Sequence, residues 1–166
     1  YVGSSLPKLA GGFYVNAAAY GFDFSMQFAY RIGGKVYDAN YANLMSAGNP
    51  GTNWHKDILN RWTPENTNTD VPRLQSNTQF LSQASDRFLI SGSYLSLNNL
   101  TLGYTLPKSL LNKVGIQGLR IYFAADNLGL WSKRKGLDPR VSLNGTQDVS
   151  VNSAVRALSF GLNLNL

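Results

Sequence analysis

The chain has 166 residues, no cysteine, a formal net charge of +6 and only 14% charged residues, where an ordinary soluble domain carries about a quarter. Without cysteine there is no disulfide, thiol nucleophile or zinc–thiolate site. No run reaches the ~18 apolar residues of a membrane-crossing helix, so any passage through a membrane must be made by strands.

Tyr1 to Gly12, YVGSSLPKLAGG, reads as a Gly/Ser/Pro loop leading into a strand. Phe13 to Tyr20 then alternates, and Gly21 is the one strong turn residue before alternation resumes, which predicts a tight hairpin. The second strand is sharper. Phe22, Phe24, Met26, Phe28, Tyr30 and Ile32 share one face; Asp23, Ser25, Gln27, Ala29 and Arg31 share the other. A one-residue slip would move Asp23 and Arg31 onto the apolar side, so the register is well specified. Its length, about ten residues, suits a tilted membrane-crossing strand.

Gly33 and Gly34 end that strand. The next ~55 residues exceed any ordinary connection and should hold structure of their own. Helices are expected over Val36 to Ser46 and over Trp54 to Trp62, where Trp54, Ile58 and Trp62 fall on one stripe, with Asn53 as N-cap, an Asp57–Arg61 pair and Pro64 as the stop. Glu65 to Pro72 is polar turn chemistry.

A third strand spans Tyr94 to Leu106, with Leu100, Leu102, Tyr104 and Leu106 on one face. Ser96 and Asn98 fall on the same face by parity, and we read them as the strand passing into water. After Pro107, Lys108 to Gly118 should be a short connection with one helical turn. The fourth strand, Leu119 to Asn127, turns Leu119, Ile121, Phe123 and Ala125 to one side and Arg120, Tyr122, Ala124 and Asp126 to the other. Arg120 and Asp126 are expected to meet charges of neighbouring strands. A loop from Gly129 to about Ser153 precedes the terminal strand, VRALSFGLNLNL. There Leu158, Phe160, Leu162, Leu164 and Leu166 alternate with small or amide residues.

The connections alternate short, long, short, long. Short turns on one side and long loops on the other describe an outer-membrane barrel with periplasmic short turns. About five strands cannot close such a barrel, which needs about eight or more, and an open sheet in lipid leaves two edges of unpaired backbone. The fold class expected is therefore all-β: an antiparallel transmembrane β-barrel segment, about five C-terminal strands of a larger barrel, with short helices in the long extracellular loop. Residues 1–166 form one such portion. Tyr1 starts inside patterned sequence with no signal peptide, as expected of a chain that continues upstream.

The residues also carry a resemblance. RWTPENTNTDVPR (Arg61 to Arg73), SDRFLISGSYLSLNNLTLGYTLP (Ser85 to Pro107), GIQGLRIYFAADNL (Gly115 to Leu128), KGLDPRVS (Lys135 to Ser142) and RALSFGLNLNL (Arg156 to Leu166) stand in order. Together the chain resembles the C-terminal end of the SusC/RagA-like TonB-dependent outer-membrane transporters of Bacteroidetes, with Leu166 where an aromatic is usual and Ser96 where a basic residue is frequent. The resemblance implies a barrel of about 22 strands filled by an N-terminal plug. It also implies energy from TonB through that N-terminal part, a SusD-like lipoprotein lid, and uptake of oligosaccharides or peptides. The location implied is the Gram-negative outer membrane, with the C-terminus periplasmic.

No catalytic constellation stands out, and no cofactor or metal is expected: His55 is the only histidine. The sequons at Asn99 and Asn144 are short enough to occur by chance. Candidate substrate or lid contacts are Tyr37, Tyr41, Trp54, Trp62 and Trp131, each also explicable as loop packing. The expected lipid-facing set is Phe22, Phe24, Met26, Phe28, Leu100, Leu102, Ile121, Phe123, Leu158, Phe160, Leu162, Leu164 and Leu166. Tyr20, Tyr30, Tyr94 and Tyr104 suit an interfacial aromatic belt. The bases Lys133, Arg134, Lys135 and Arg140 form a solvated loop whose natural partner is lipid phosphate; no motif supports nucleic acid. The partners expected are the rest of the same barrel, the lid, TonB, lipid, and the outer-membrane assembly machinery through the last strand. Two other readings are a barrel segment acting only as a client of that machinery, and a soluble β-domain binding a ligand.

Overall fold

The computed structural model describes residues 2–46, 51–74, 83–111, 115–133, 138–140 and 153–165. Leu166, Arg134, Lys135 and the Asn144 sequon lie outside these residues. β1 (Leu9–Ala19) and β2 (Phe22–Ile32) pair from Leu9↔Ile32 to Ala19↔Phe22. The turn between them sets Tyr20 at φ 53° and Gly21 at φ 85°. Positive φ at both central residues gives a turn whose twist matches the flanking strands. β1 starts at Leu9 rather than Phe13 because Gly11 and Gly12 pair with Tyr30 and Ala29; the glycine at 11 leaves room for the Tyr30 ring, whose hydroxyl would lie 3.0 Å from a Cβ there.

β5 (Tyr94–Thr105), β6 (Gly118–Ser132) and β7 (Ala157–Asn165) complete an antiparallel sheet of five strands in the order β1-β2-β5-β6-β7. The register sorts the side chains cleanly. Phe24, Leu102, Phe123 and Phe160 lie across neighbouring strands on one face; Ser25, Thr101, Ala124 and Ser159 do so on the other. Cross-strand rings stack on the apolar face, with centroids 4.7 Å apart for Phe13–Phe28, 4.5 Å for Phe22–Tyr104 and 5.0 Å for Phe123–Phe160.

The parity reading of Ser96 and Asn98 is corrected. Gln27 pairs with Asn99 but Phe28 pairs with Leu97, so Asn98 is an extra residue on β5. Such a bulge flips the side-chain alternation beyond it. Leu95 and Leu97 therefore join the apolar face, opposite Trp131 and Gly129, while Ser96 and Tyr94 turn to the polar face. Ser96 is fully buried there, and its hydroxyl bonds Ala29 O at 3.2 Å and Asn98 Oδ1 at 2.8 Å. The same pairing carries β6 to Ser132, so the loop expected from Gly129 begins later.

The segment between β2 and β5 folds on itself. β3 (Lys35–Tyr37) pairs with β4 (Leu89–Ser91). α1 (Ala39–Met45) follows, capped by Asp38, whose carboxylate accepts from Tyr41 N at 2.9 Å. The helix thus starts three residues after the expected Val36, which belongs to β3. The expected helix over Trp54–Trp62 is only a 3-10 turn, Lys56–Asn60. Its flanks are committed elsewhere: His55 N bonds Leu44 O at 2.9 Å and Trp62 N bonds Val71 O at 2.8 Å. The cap is His55, not Asn53. The Asp57 carboxylate accepts from the Tyr41 hydroxyl at 2.9 Å, and Asp57 N donates to His55 Nδ1 at 3.2 Å, in place of the expected pair with Arg61. Met45, Ile58, Val71 and Phe88 form a small buried core, with Tyr37, Tyr41, Ala42 and Leu74 packed on it. A further 3-10 turn, Asp86–Phe88, leads into β4. α2 (Lys108–Leu111) is the single turn expected after Pro107.

Among the described residues no helix is long and apolar enough to cross a membrane. The apolar face of the sheet is exposed among the described residues: Phe160 is 83% and Leu162 68% exposed. A soluble sandwich would bury these side chains against a second layer.

Candidate functional site

The polar face is built as a lining rather than a core. Arg120 on β6 reaches over β5 to Asp23 on β2, with Nε–Oδ1 at 2.9 Å and Nη2–Oδ2 at 2.5 Å. Gly103 lies between them, paired with both Asp23 and Tyr122. A Cβ at Gly103 would overlap both charged groups, so this crossing requires glycine. Next along the row, the Arg120 guanidinium stands 5.0 Å from the Tyr122 ring centre. The Tyr122 ring in turn covers Gly161 so closely that a Cβ there would overlap it. An aromatic laid over a cross-strand glycine pins the register of a sheet edge. Deeper along the strands Asn99 donates to Asp126 at 2.7 Å, and Thr101 donates to Asn99 at 3.2 Å. The expected charged partner thus exists for Arg120, while Asp126 takes an amide.

A second polar cluster ties the sheet's loop end together. Asp138 and Pro139 are buried, and Asp138 accepts from Arg140 N at 3.0 Å, Nε at 2.9 Å and Nη2 at 2.7 Å. Arg140 also reaches Asn127 Oδ1 at 3.4 Å, and Asn127 Nδ2 holds Val155 O at 3.1 Å. Asn127 has φ 51°, a left-handed kink within β6 that aims its amide at the β7 approach. Burial pushes the Asp138 carboxyl up, but hydrogen bonds from Arg140, its charge and the Ala154 backbone outweigh it and hold the group below the usual carboxylate range. The Asp138 carboxylate likewise raises Arg140. The sequence carried this pair in KGLDPRVS without revealing its role; an acid and an arginine two apart around proline are the only local signal.

Of the candidate aromatic contacts, the structure brings Tyr37 and Tyr41 together around Phe88, with ring centres 6.1 and 6.0 Å from it. Both brace the long segment from within. Trp54 and Trp62 are each 40% exposed, off any shared helical stripe. Trp131 is not in a loop: it sits on β6 opposite Leu95, on the apolar face. Tyr94, expected in an aromatic belt, instead shares the polar face with Arg31. Among the described residues no group of three His, Asp or Glu side chains is placed to hold a metal ion.

A sheet apolar and exposed across one face, polar and ion-paired across the other, is a segment of an antiparallel transmembrane β-barrel. No family model matches the chain. It is 32% identical over 98% of its length to TonB-dependent receptor P3 of Formosa agariphila, and 30% identical over 87% to the TonB-dependent receptor SusC of Bacteroides thetaiotaomicron. It superimposes on the RagAB peptide importer with TM-score 0.80 in the 'open-open' state and 0.79 in the 'closed-closed' state, at 32% identity over 98% and 97% of the chain. The chain is a SusC/RagA-like C-terminal segment of an outer-membrane TonB-dependent receptor barrel. It spans 17% of the P3 receptor, 14% of SusC and 18% of the matched chain of the open importer.

Proposed function

We propose that this segment belongs to an active importer that draws oligosaccharides or peptides across the outer membrane with TonB energy, under a SusD-like lipoprotein lid. The observation that carries this reading is the two-faced sheet with its apolar side exposed, on a chain that superimposes on a RagAB importer. The apolar set from Phe22 to Leu164 then meets lipid, joined by Trp131 at the interface. The Asp23–Arg120 row faces the lumen. The short turns at Tyr20–Gly21 and after β5 lie on the periplasmic side with the C-terminus, and the β3–β4 segment and the loop before β7 lie outside. Further strands of the same barrel pair with β1 and β7, and β7 is the strand offered to the assembly machinery. Trp54 and Trp62 remain the aromatic surface for a sugar ring or the lid.

The test is uptake of labelled oligosaccharides and peptides by cells carrying the receptor, with TonB intact or inactivated. Uptake that disappears without TonB supports the reading. Uptake independent of TonB, or no uptake from either substrate class, contradicts it. Co-purification of a SusD-like lipoprotein tests the lid.

A further inference from the structure

We propose that a pocket at the loop ends of β2, β5 and β6 binds the carboxylate of an incoming ligand, with Arg31 and Lys133 as its cations. Arg31 ends the polar face of β2 and is 4% exposed. One Nη2 donates to Ser5 O, while Nε is buried without a hydrogen-bond partner. A buried donor on a charged group left unpaired is costly, and native structures rarely tolerate one without a purpose.

Arg31 lines an open depression of about 540 Å³ at the strand ends together with Lys133, Ser93 and Tyr94, and none of its lining residues is acidic. The chemistry converges. A guanidinium presents a planar set of donors matched to a carboxylate, and an ammonium adds a second, mobile charge. The Ser93 oxygen already accepts from Gly33 N at 2.9 Å and from the Ser91 hydroxyl at 3.0 Å, which leaves its own proton to donate. Tyr94, on the same face as Arg31, gives an aromatic wall for the ligand's carbon frame. The bulge at Asn98 makes the site: it turns Tyr94 onto the Arg31 side, where plain alternation would have faced it away.

The inference rests on reading the chain as part of an importer, but its test is equilibrium binding, which does not require transport. The full-length receptor carrying this segment, purified in detergent, is titrated with trialanine and with its C-terminal amide, and with digalacturonate and a neutral disaccharide. The expected result is binding of one free acid and not of its neutral counterpart, weakening as salt rises. Which acid binds separates a peptide terminus from a sugar acid. Lys133→Gln, at an exposed position, should weaken that binding about tenfold without disturbing the fold, as should Arg31→Lys, which keeps the charge but removes Nε. Absence of binding by both acids, or affinity unchanged in Lys133→Gln, overturns the proposal; TonB-dependent uptake would survive that failure.

Discussion

Gly103 and Gly161 are places where one missing Cβ decides the architecture of a face. At Gly103 the gap lets Arg120 cross a strand to reach Asp23; at Gly161 it lets Tyr122 lie flat against the edge strand. Gly161→Val should force the Tyr122 ring off the sheet and lower folding stability by about 1–3 kcal/mol, the usual range for overpacking. Denaturant unfolding of the receptor in vesicles would show it, and Tyr122→Ala in the same background should recover part of the loss. Asp138 gives a prediction in pH. Its carboxyl is held below the ordinary value of 3.8 in the folded chain, so its ionised form is favoured by folding. That contribution is fully present above pH 3.8 and is lost as pH falls through the lower folded value. The protection of the amides around Ala154 and Val155, measured against their intrinsic exchange rates at each pH, should therefore fall at acid pH, and Asp138→Asn should show the lower protection already at neutral pH. Neither glycine could be recognised from sequence, because each depends on a partner on another strand. The Asp138–Arg140 pair was visible as a motif and invisible as a contact.

Strands obeyed the alternation of their side chains wherever that alternation was unbroken. β2 runs over the expected Phe22–Ile32, and β7 carries its leucines on the face shared with Phe123 and Ile121. Reading failed where backbone, not side chain, set the geometry. Asn98 inserts an extra residue that period-two counting cannot see, so Ser96 looked like a strand entering water when it is the most deeply buried polar residue of β5. β3 and β4 have three residues each, too few for any periodic signal, and meet across the 51 residues that separate Tyr37 from Leu89. The Trp54–Ile58–Trp62 spacing matched a helix, but tertiary hydrogen bonds on both flanks prevailed over it. Two outcomes test the element scale. Deleting Asn98 removes the extra residue and should keep Leu95 and Leu97 on the apolar face and Ser96 on the polar one, so the barrel should still reach its heat-modifiable folded form on gels; deleting Leu97 instead, with Asn98 kept, should prevent it. Phe160→Arg, on the lipid side of β7, should destabilise the folded barrel by about 2–4 kcal/mol if the position lies near the bilayer midplane; Ser159→Arg, one residue away, should cost far less.

The molecule as a whole makes sense only as part of a larger wall. Among the described residues its buried apolar core is small and sits in the segment between β2 and β5, while the five long strands leave the apolar face and both edges open. In water such a sheet would expose the rings of Phe13, Phe22 and Phe160. In a bilayer the same rings are solvated by lipid, and the polar row of Asp23, Arg120 and Asn99 is kept on the other side. The low charge content and the alternation of short and long connections already pointed to this arrangement, because both follow from two solvents meeting one sheet. The chain has no cysteine, so single cysteines can be placed along β7 and labelled with nitroxide in the full receptor in vesicles. The decisive measurement is the accessibility of these labels to oxygen, which concentrates in lipid, against a polar nickel chelate. Labels at Phe160 and Leu162 should favour oxygen, and labels at Ser159 and Asn163 should favour the chelate. Equal accessibility along the strand, or the opposite alternation, would contradict the assignment of the apolar face to lipid.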